Sequence, residues 1–190
     1  MNLIIIPGYR MGGGMSDLFD RVTSDQDVFK KLLSKIPGFS GYIKREDRRA
    51  SDKILRDTIA DRFEELWQKV SSLQRDFISQ GEIGYIDDLE AAAIKLRQFI
   101  DRIRTAAYGY SPFFEAIKIN EEELAKVYQF DLELLNLVDE VNHAIENVET
   151  LVGTDGLPAS IRNLTAISQK CLDAFNQRSE TMIGGVESGI

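Results

Sequence analysis

Lys44, Arg45, Arg48, Arg49, Lys53 and Arg56 crowd a short stretch of this 190-residue chain. Lys44 and Arg48 stand one helical turn apart, as do Arg45 and Arg49. On a helix the group forms a face able to neutralise phosphate, anionic lipid or an acidic protein surface. Glu46, Asp47, Asp52 and Asp57 interleave with it and supply local partners, so a solvated face with i,i+4 pairs is the plainer expectation. Glu140 and His143 carry a second kind of chemistry. Three residues apart on a helix, a carboxylate and an imidazole point the same way and can share a metal ion.

A third group interrupts apolar seams. Asp52 and Arg56 extend the apolar repeat of one helix backwards, Asp131 interrupts a second, and Ser168 and Arg178 interrupt a third. A lone charge in a seam is costly to bury, so these side chains are expected to pair. Asp131 with Arg178 or Arg56 would make a register-setting ion pair, the role such groups hold in coiled coils. A polar ligand cavity is the functional alternative.

Other chemistries lack their residues. Glu140 and His143 have the spacing found in ferritin-like di-iron proteins, and that resemblance implies a metal-dependent oxidase. The pattern needs two Glu-x-x-His motifs and two more helix carboxylates, whereas this chain has one histidine. His143 also falls between the seam residues Val141 and Ile145, which turns it outwards. Cys171 is the single cysteine; it excludes an internal disulfide and a cysteine-built zinc site, and its seam position suits a small buried hydrophobe. No lysine-serine or lysine-threonine pair follows the glycines at 12–14, so they are not a phosphate loop. No metal or other cofactor is expected.

The elements that position these residues are helices. Residues 16–36 form an amphipathic arm carrying Val22, Val28, Phe29, Leu32, Leu33 and Ile36, ended by Pro37-Gly38 and a loop through residue 43. A long helix is expected from about Lys44 to Gln80, closed by Gly81, with Ile59, Phe63, Leu66, Val70, Leu73 and Phe77 in alternating steps of four and three. A third runs from about Gly84 to Tyr108 on Ile86, Leu89, Ala93, Leu96, Ile100, Ile103 and Ala107. Ser111-Pro112 starts a short turn. Asn120 caps a fourth helix whose Glu121, Glu122 and Glu123 suit its positive end. A fifth runs from about Pro158 to Met182. The fold class is therefore all-α: an antiparallel four-helix, coiled-coil-like bundle with an N-terminal amphipathic arm. The expected division is a leader at 1–14, non-native or disordered, with translation starting at Met15; the arm and loop at 15–43; the bundle at 44–183; and a flexible tail at 184–190.

Charge along these helices is lopsided. Residues 30–56 hold nine basic residues against three acids, while residues 120–150 hold nine acids against Lys126 alone. The acidic segment thus nets −8, equal to the formal charge of the whole chain. That balance argues against nucleic acid as the main partner. Composition, at 43% apolar and 28% charged, is that of a globular protein, and the longest purely apolar run, residues 3–6, is far too short to span a bilayer. Leu18-Phe19-Asp20-Arg21-Val22 is similar to the start of phage-shock protein A relatives, which implies a membrane-binding first helix; the likeness ends with those residues. The expected function is a non-enzymatic, cytoplasmic helical scaffold or adaptor, bacterial in character, acting by self-association or protein-partner binding. A peripheral protein on anionic membranes, using the arm and basic segment, is the alternative.

Overall fold

The computed structural model describes residues 26–106, 111–116, 119 and 121–184. The expectations for the leader, for Met15 and residues 16–25, and for the tail beyond Gly184 fall outside those residues. The described chain is all helical, without a strand: α1 (Gln26–Lys35), α2 (Arg48–Gln80), a 3-10 turn (Ile83–Tyr85), α3 (Ile86–Thr105), α4 (Ser111–Glu115), α5 (Glu121–Thr150) and α6 (Leu157–Gly184).

Four helices are long because their apolar repeats are broken only by single polar residues and the one proline within them, Pro158, stands in the first turn of α6, where its missing N–H costs no helical bond. Every seam residue of α2 from Ile59 to Phe77 is buried. Gly81 ends that helix in a left-handed conformation, φ 83°, with its N–H on the Ile78 carbonyl, while the Glu82 N–H reaches the Phe77 carbonyl. Only glycine adopts that φ at no steric cost, so the stop is encoded locally. The first turn of α2 is different. Its sequence favours helix from Lys44, but the helix begins at Arg48. The Tyr42 N–H donates to the Tyr128 hydroxyl and the Tyr42 carbonyl accepts from Arg48 Nε, which hold the preceding chain off the helical path.

Each long helix packs on two others: α2 on α3 and α5, and α6 on α3 and α5. Cross-helix pairs give the directions. Gln74 with Glu90 and Arg104 with Asp61 run in opposite senses along α2 and α3. Lys95 meets Gln169 and Arg102 meets Asn176, seven residues further along both helices, so α3 and α6 are parallel. Lys69 meets Asn142, and the α2 start joins the α5 start through the network described below, so α2 and α5 are also parallel neighbours. A ring in which every neighbour is antiparallel, expected from the sequence, is therefore corrected. Sequential long helices alternate in direction, but α3 and α5 do not pack side by side. Nothing in the heptads distinguishes the two orders, because each helix buries a face broad enough for two partners. α1 lies on α5, with Leu32 and Ile36 buried.

Candidate functional site

The charged seam residues converge at the end of the bundle where α2 and α5 begin and α3 and α6 finish. Arg178 is fully buried on α6, and its Nε donates to Asp131 Oδ1 on α5 at 2.5 Å. Its Nη2 donates across the core to Asp52 Oδ1 on α2 at 2.8 Å and to the Tyr42 hydroxyl at 3.1 Å. Asp52 Oδ2 accepts from Arg56 Nε at 2.7 Å, one turn on. Arg56 Nη1 then donates to the Ile103 and Arg104 carbonyls, at the C-terminal turn of α3 where the helix dipole favours a cation. Two carboxylates and two guanidiniums thus link all four long helices with no net charge. Asp131 and Arg178 form the pair, whereas Arg56 joins it only through Asp52.

Tyr42 completes the cluster from the loop before α2. Its hydroxyl donates to Asp131 Oδ2 at 2.8 Å, and its ring stacks on Tyr128 with centroids 5.3 Å apart. Gly41, at φ 83°, lets the loop approach: a Cβ there would sit 2.7 Å from the Tyr128 hydroxyl oxygen. Burial raises the Tyr42 phenol well above the usual tyrosine range, with Asp131 adding to the effect. Burial also raises Asp131, opposed by the Arg178 charge and hydrogen bond. Both directions describe sequestered groups whose polar atoms already have partners. The arrangement can hold register and clamp the loop, and its side chains are buried.

The basic face divides. Arg48 and Arg56 are buried. Arg48 donates to the Tyr42 and Ala116 carbonyls, and burial lowers its pKa. Lys53 pairs with Asp57, and Arg49 pairs with Glu115 while lying over the Phe114 ring. Lys44 and Arg45 are exposed, and Arg45 lines a shallow cleft with Glu46, Arg49, Phe114 and Glu115. The expected face of six cations is therefore corrected to Lys44, Arg45, Arg49 and Lys53. The sequence hides this because i,i+4 spacing does not say which side of a helix a loop will cover.

The basic and acidic blocks meet at Lys35 and Asp139, while Glu122 at the start of α5 pairs with Lys126 of its own helix. Lys44 and Arg45 lie in the turn before α2, at the same end of the bundle as the exposed Glu122, while the exposed acids Glu140, Glu146 and Glu149 lie in the last third of α5. With Lys69 opposite Asn142, Arg45 and Glu146 stand about 40 Å apart along the bundle at 1.5 Å per residue. That is several Debye lengths in physiological salt.

Glu140 and His143 do not meet over a metal. Glu140 pairs with Lys170, and the exposed His143 contacts Glu146. No group of three or more metal-ligating side chains exists among the described residues. Cys171 is buried at its seam position, its thiol pushed up to about 12, chiefly by burial. α1 turns Leu32 onto the bundle and leaves Lys30, Lys31 and the half-exposed Leu33 on its outer side. No helix among the described residues is long and apolar enough to cross a membrane. Sequence reasoning overlooked Tyr42 and Tyr128. A tyrosine beside a glycine in an otherwise small, polar turn was the available signal for the first; Tyr128 next to the seam residue Val127 gave almost none.

No protein-family model, curated protein or solved structure matches this chain.

Proposed function

We propose that this protein is a non-enzymatic helical scaffold that associates end to end through opposite charge, with itself or with an acidic protein partner. Its body acts as a four-helix, coiled-coil-like bundle, with the ion network fixing the register. The observation that carries the reading is the separation of the exposed Lys44 and Arg45 from Glu146 and Glu149 by most of the bundle's length. Within one copy the two ends are too far apart to pair. Between copies, the basic end of one meets the acidic end of the next, a heterologous contact that builds an open array or a ring.

Local structure favours the same end. α2 carries no acid in its first turn, where the buried Arg48 and the exposed Arg49 follow the N-cap residue Asp47. A cation there costs roughly 0.3–1 kcal/mol compared with a neutral residue, a cost that the neighbouring Asp47 carboxylate offsets in part. Light scattering across ionic strength tests the proposal. Assemblies present at low salt should dissolve as salt rises, and Lys44→Glu with Arg45→Glu should abolish them without unfolding the protein. An added acidic peptide should bind the wild type and not the variant. A wild type that stays monomeric at every salt concentration and ignores the peptide overturns the reading.

A further inference from the structure

The segment before α2 is a separable piece. α1 and the loop through Tyr42 are held by contacts to residues from Arg48 onwards. Ser40 bonds Ser51, Tyr42 bonds Arg48, Tyr128, Asp131 and Arg178, the Lys35 carbonyl accepts from Arg62, and the Lys35 ammonium faces Asp139. Leu32, Ile36, Phe39 and Tyr42 are all buried in this contact. It has the character of an interface: an apolar patch, a central hydrogen-bonded aromatic and a polar rim. All of it would form equally well against the same surface on a second copy.

What joins the segment to its own bundle is residues 43–47. Lys44, Arg45 and Glu46 are exposed, and the turn is closed by one backbone bond, Asp47 N–H to the Lys44 carbonyl at 3.1 Å. Lys, Arg and Glu are strong helix formers, neither glycine nor proline occurs from Tyr42 to Arg56, and Asp47 is already right-handed helical at φ −90°, ψ −18°. The local preference is thus to extend α2 backwards by a turn, and the docked Tyr42 opposes it. Straightening the turn breaks one backbone bond and restores helical ones, but carries the arm away from its own docking surface.

From this conflict we infer that residues 43–47 are a hinge and that two copies exchange residues 26–42, seating each Tyr42 between Asp131 and Arg178 of the other. The partner is a second copy of this chain, since no other occupant reproduces the Phe39, Gly41 and Tyr42 fit. Exchange is the low-cost route to a dimer because the closed interface is reused and only the hinge changes. This deepens the self-association reading but differs from it in cause: the exchanged contact is apolar and buried, so it persists in salt.

The experiment mixes unlabelled and isotopically heavy full-length protein, each with a photocrosslinking residue in place of the half-exposed Leu33. Samples are unfolded together, refolded at high concentration and held at about 0.5 M salt, where the Debye length is only a few Å. Heavy–light crosslinks joining residue 33 to the α5 region of the other chain, increasing with concentration, are expected. Deletion of residues 45–47, which leaves the arm too short to fold back, should give a folded dimer by light scattering and circular dichroism. Crosslinks confined to single chains at every concentration overturn the inference, as does a folded monomer from the deletion. Low-salt assemblies lost through Lys44→Glu and Arg45→Glu but without interchain arm crosslinks would leave the charge-directed reading standing and remove this one.

Discussion

Replacing Arg178 with methionine tests the buried network directly. Methionine keeps the unbranched length of the side chain and removes the charge and all donors. Asp131 then keeps one partner, the Tyr42 hydroxyl, whereas Asp52 still has Arg56. Breaking one side of a buried ion pair costs about 3–5 kcal/mol, a large part of a total stability of roughly 5–15 kcal/mol. Urea unfolding at neutral pH should show that loss. Adding Asp131→Asn removes the orphaned charge but keeps an acceptor for Tyr42, so the double variant should recover about 1–3 kcal/mol relative to Arg178→Met alone. The sign with pH is set as well. Asp131 is already raised by burial, and losing Arg178 raises it further. A carboxyl raised above its unfolded value of about 3.9 supplies stability at low pH that is lost as pH rises through the folded value, at up to ~1.4 kcal/mol per unit. The single variant should therefore be closer to wild type at pH 5 than at pH 7. A loss below about 1 kcal/mol, or a double variant no better than Arg178→Met, would refute the assignment of this network as the bundle's coupled charge centre.

Gly41→Ala forces an L-residue to φ 83° with its Cβ 2.7 Å from the Tyr128 oxygen and 2.8 Å from Phe29 Cε2. The backbone alone costs about 1–2 kcal/mol, and limited proteolysis should cut the loop near residue 40 much faster than in wild type. Tyr42 and Tyr128 are both raised by burial, so the stabilisation they give is complete below the unfolded tyrosine value near pH 10 and is lost as pH climbs towards their folded values. Tyrosinate absorbance should show these two titrating together with loss of helix in base, and Tyr42→Phe should remove one of them. Cys171, its thiol pushed up to about 12, should resist an aromatic disulfide reagent until urea unfolds the chain. Rapid modification of the native protein would show that α6 opens locally at that position.

How much of this was legible depended on whether the cause was local. The α2 stop at Gly81 and the apolar seams follow from residue type and spacing, which act within a few turns. Asp131 and Arg178 could be singled out for the same reason, each replacing an apolar residue in an otherwise regular seam. The start of α2 was misplaced because Lys44 to Asp47 have helical preferences that distant groups override, above all Tyr128, 86 residues from the Tyr42 it binds. The burial of Arg48 was hidden similarly. Its partners are backbone carbonyls at Tyr42 and Ala116, and a carbonyl has no signature in a sequence.

The order of helices around the bundle has the same explanation, taken one step further. Four similar apolar repeats permit more than one arrangement of neighbours, and hydrophobic burial does little to choose among them. The charged end discriminates. Arg178 must reach Asp131 on an adjacent helix and Asp52 across the core, while Arg56 must cap the last carbonyls of α3. Shifting one helix by a turn, or exchanging two positions, leaves a carboxylate or guanidinium buried without its partner, at a cost of several kcal/mol. Residues 113–116 then close the same end: Phe113 packs beside Tyr42, and the Ala116 carbonyl accepts from Arg48. Buried charge here contributes less to total stability than to the choice between competing bundles. Its effect is to make Tyr42, in the segment proposed to exchange, the side chain on which that choice and the exchange both depend.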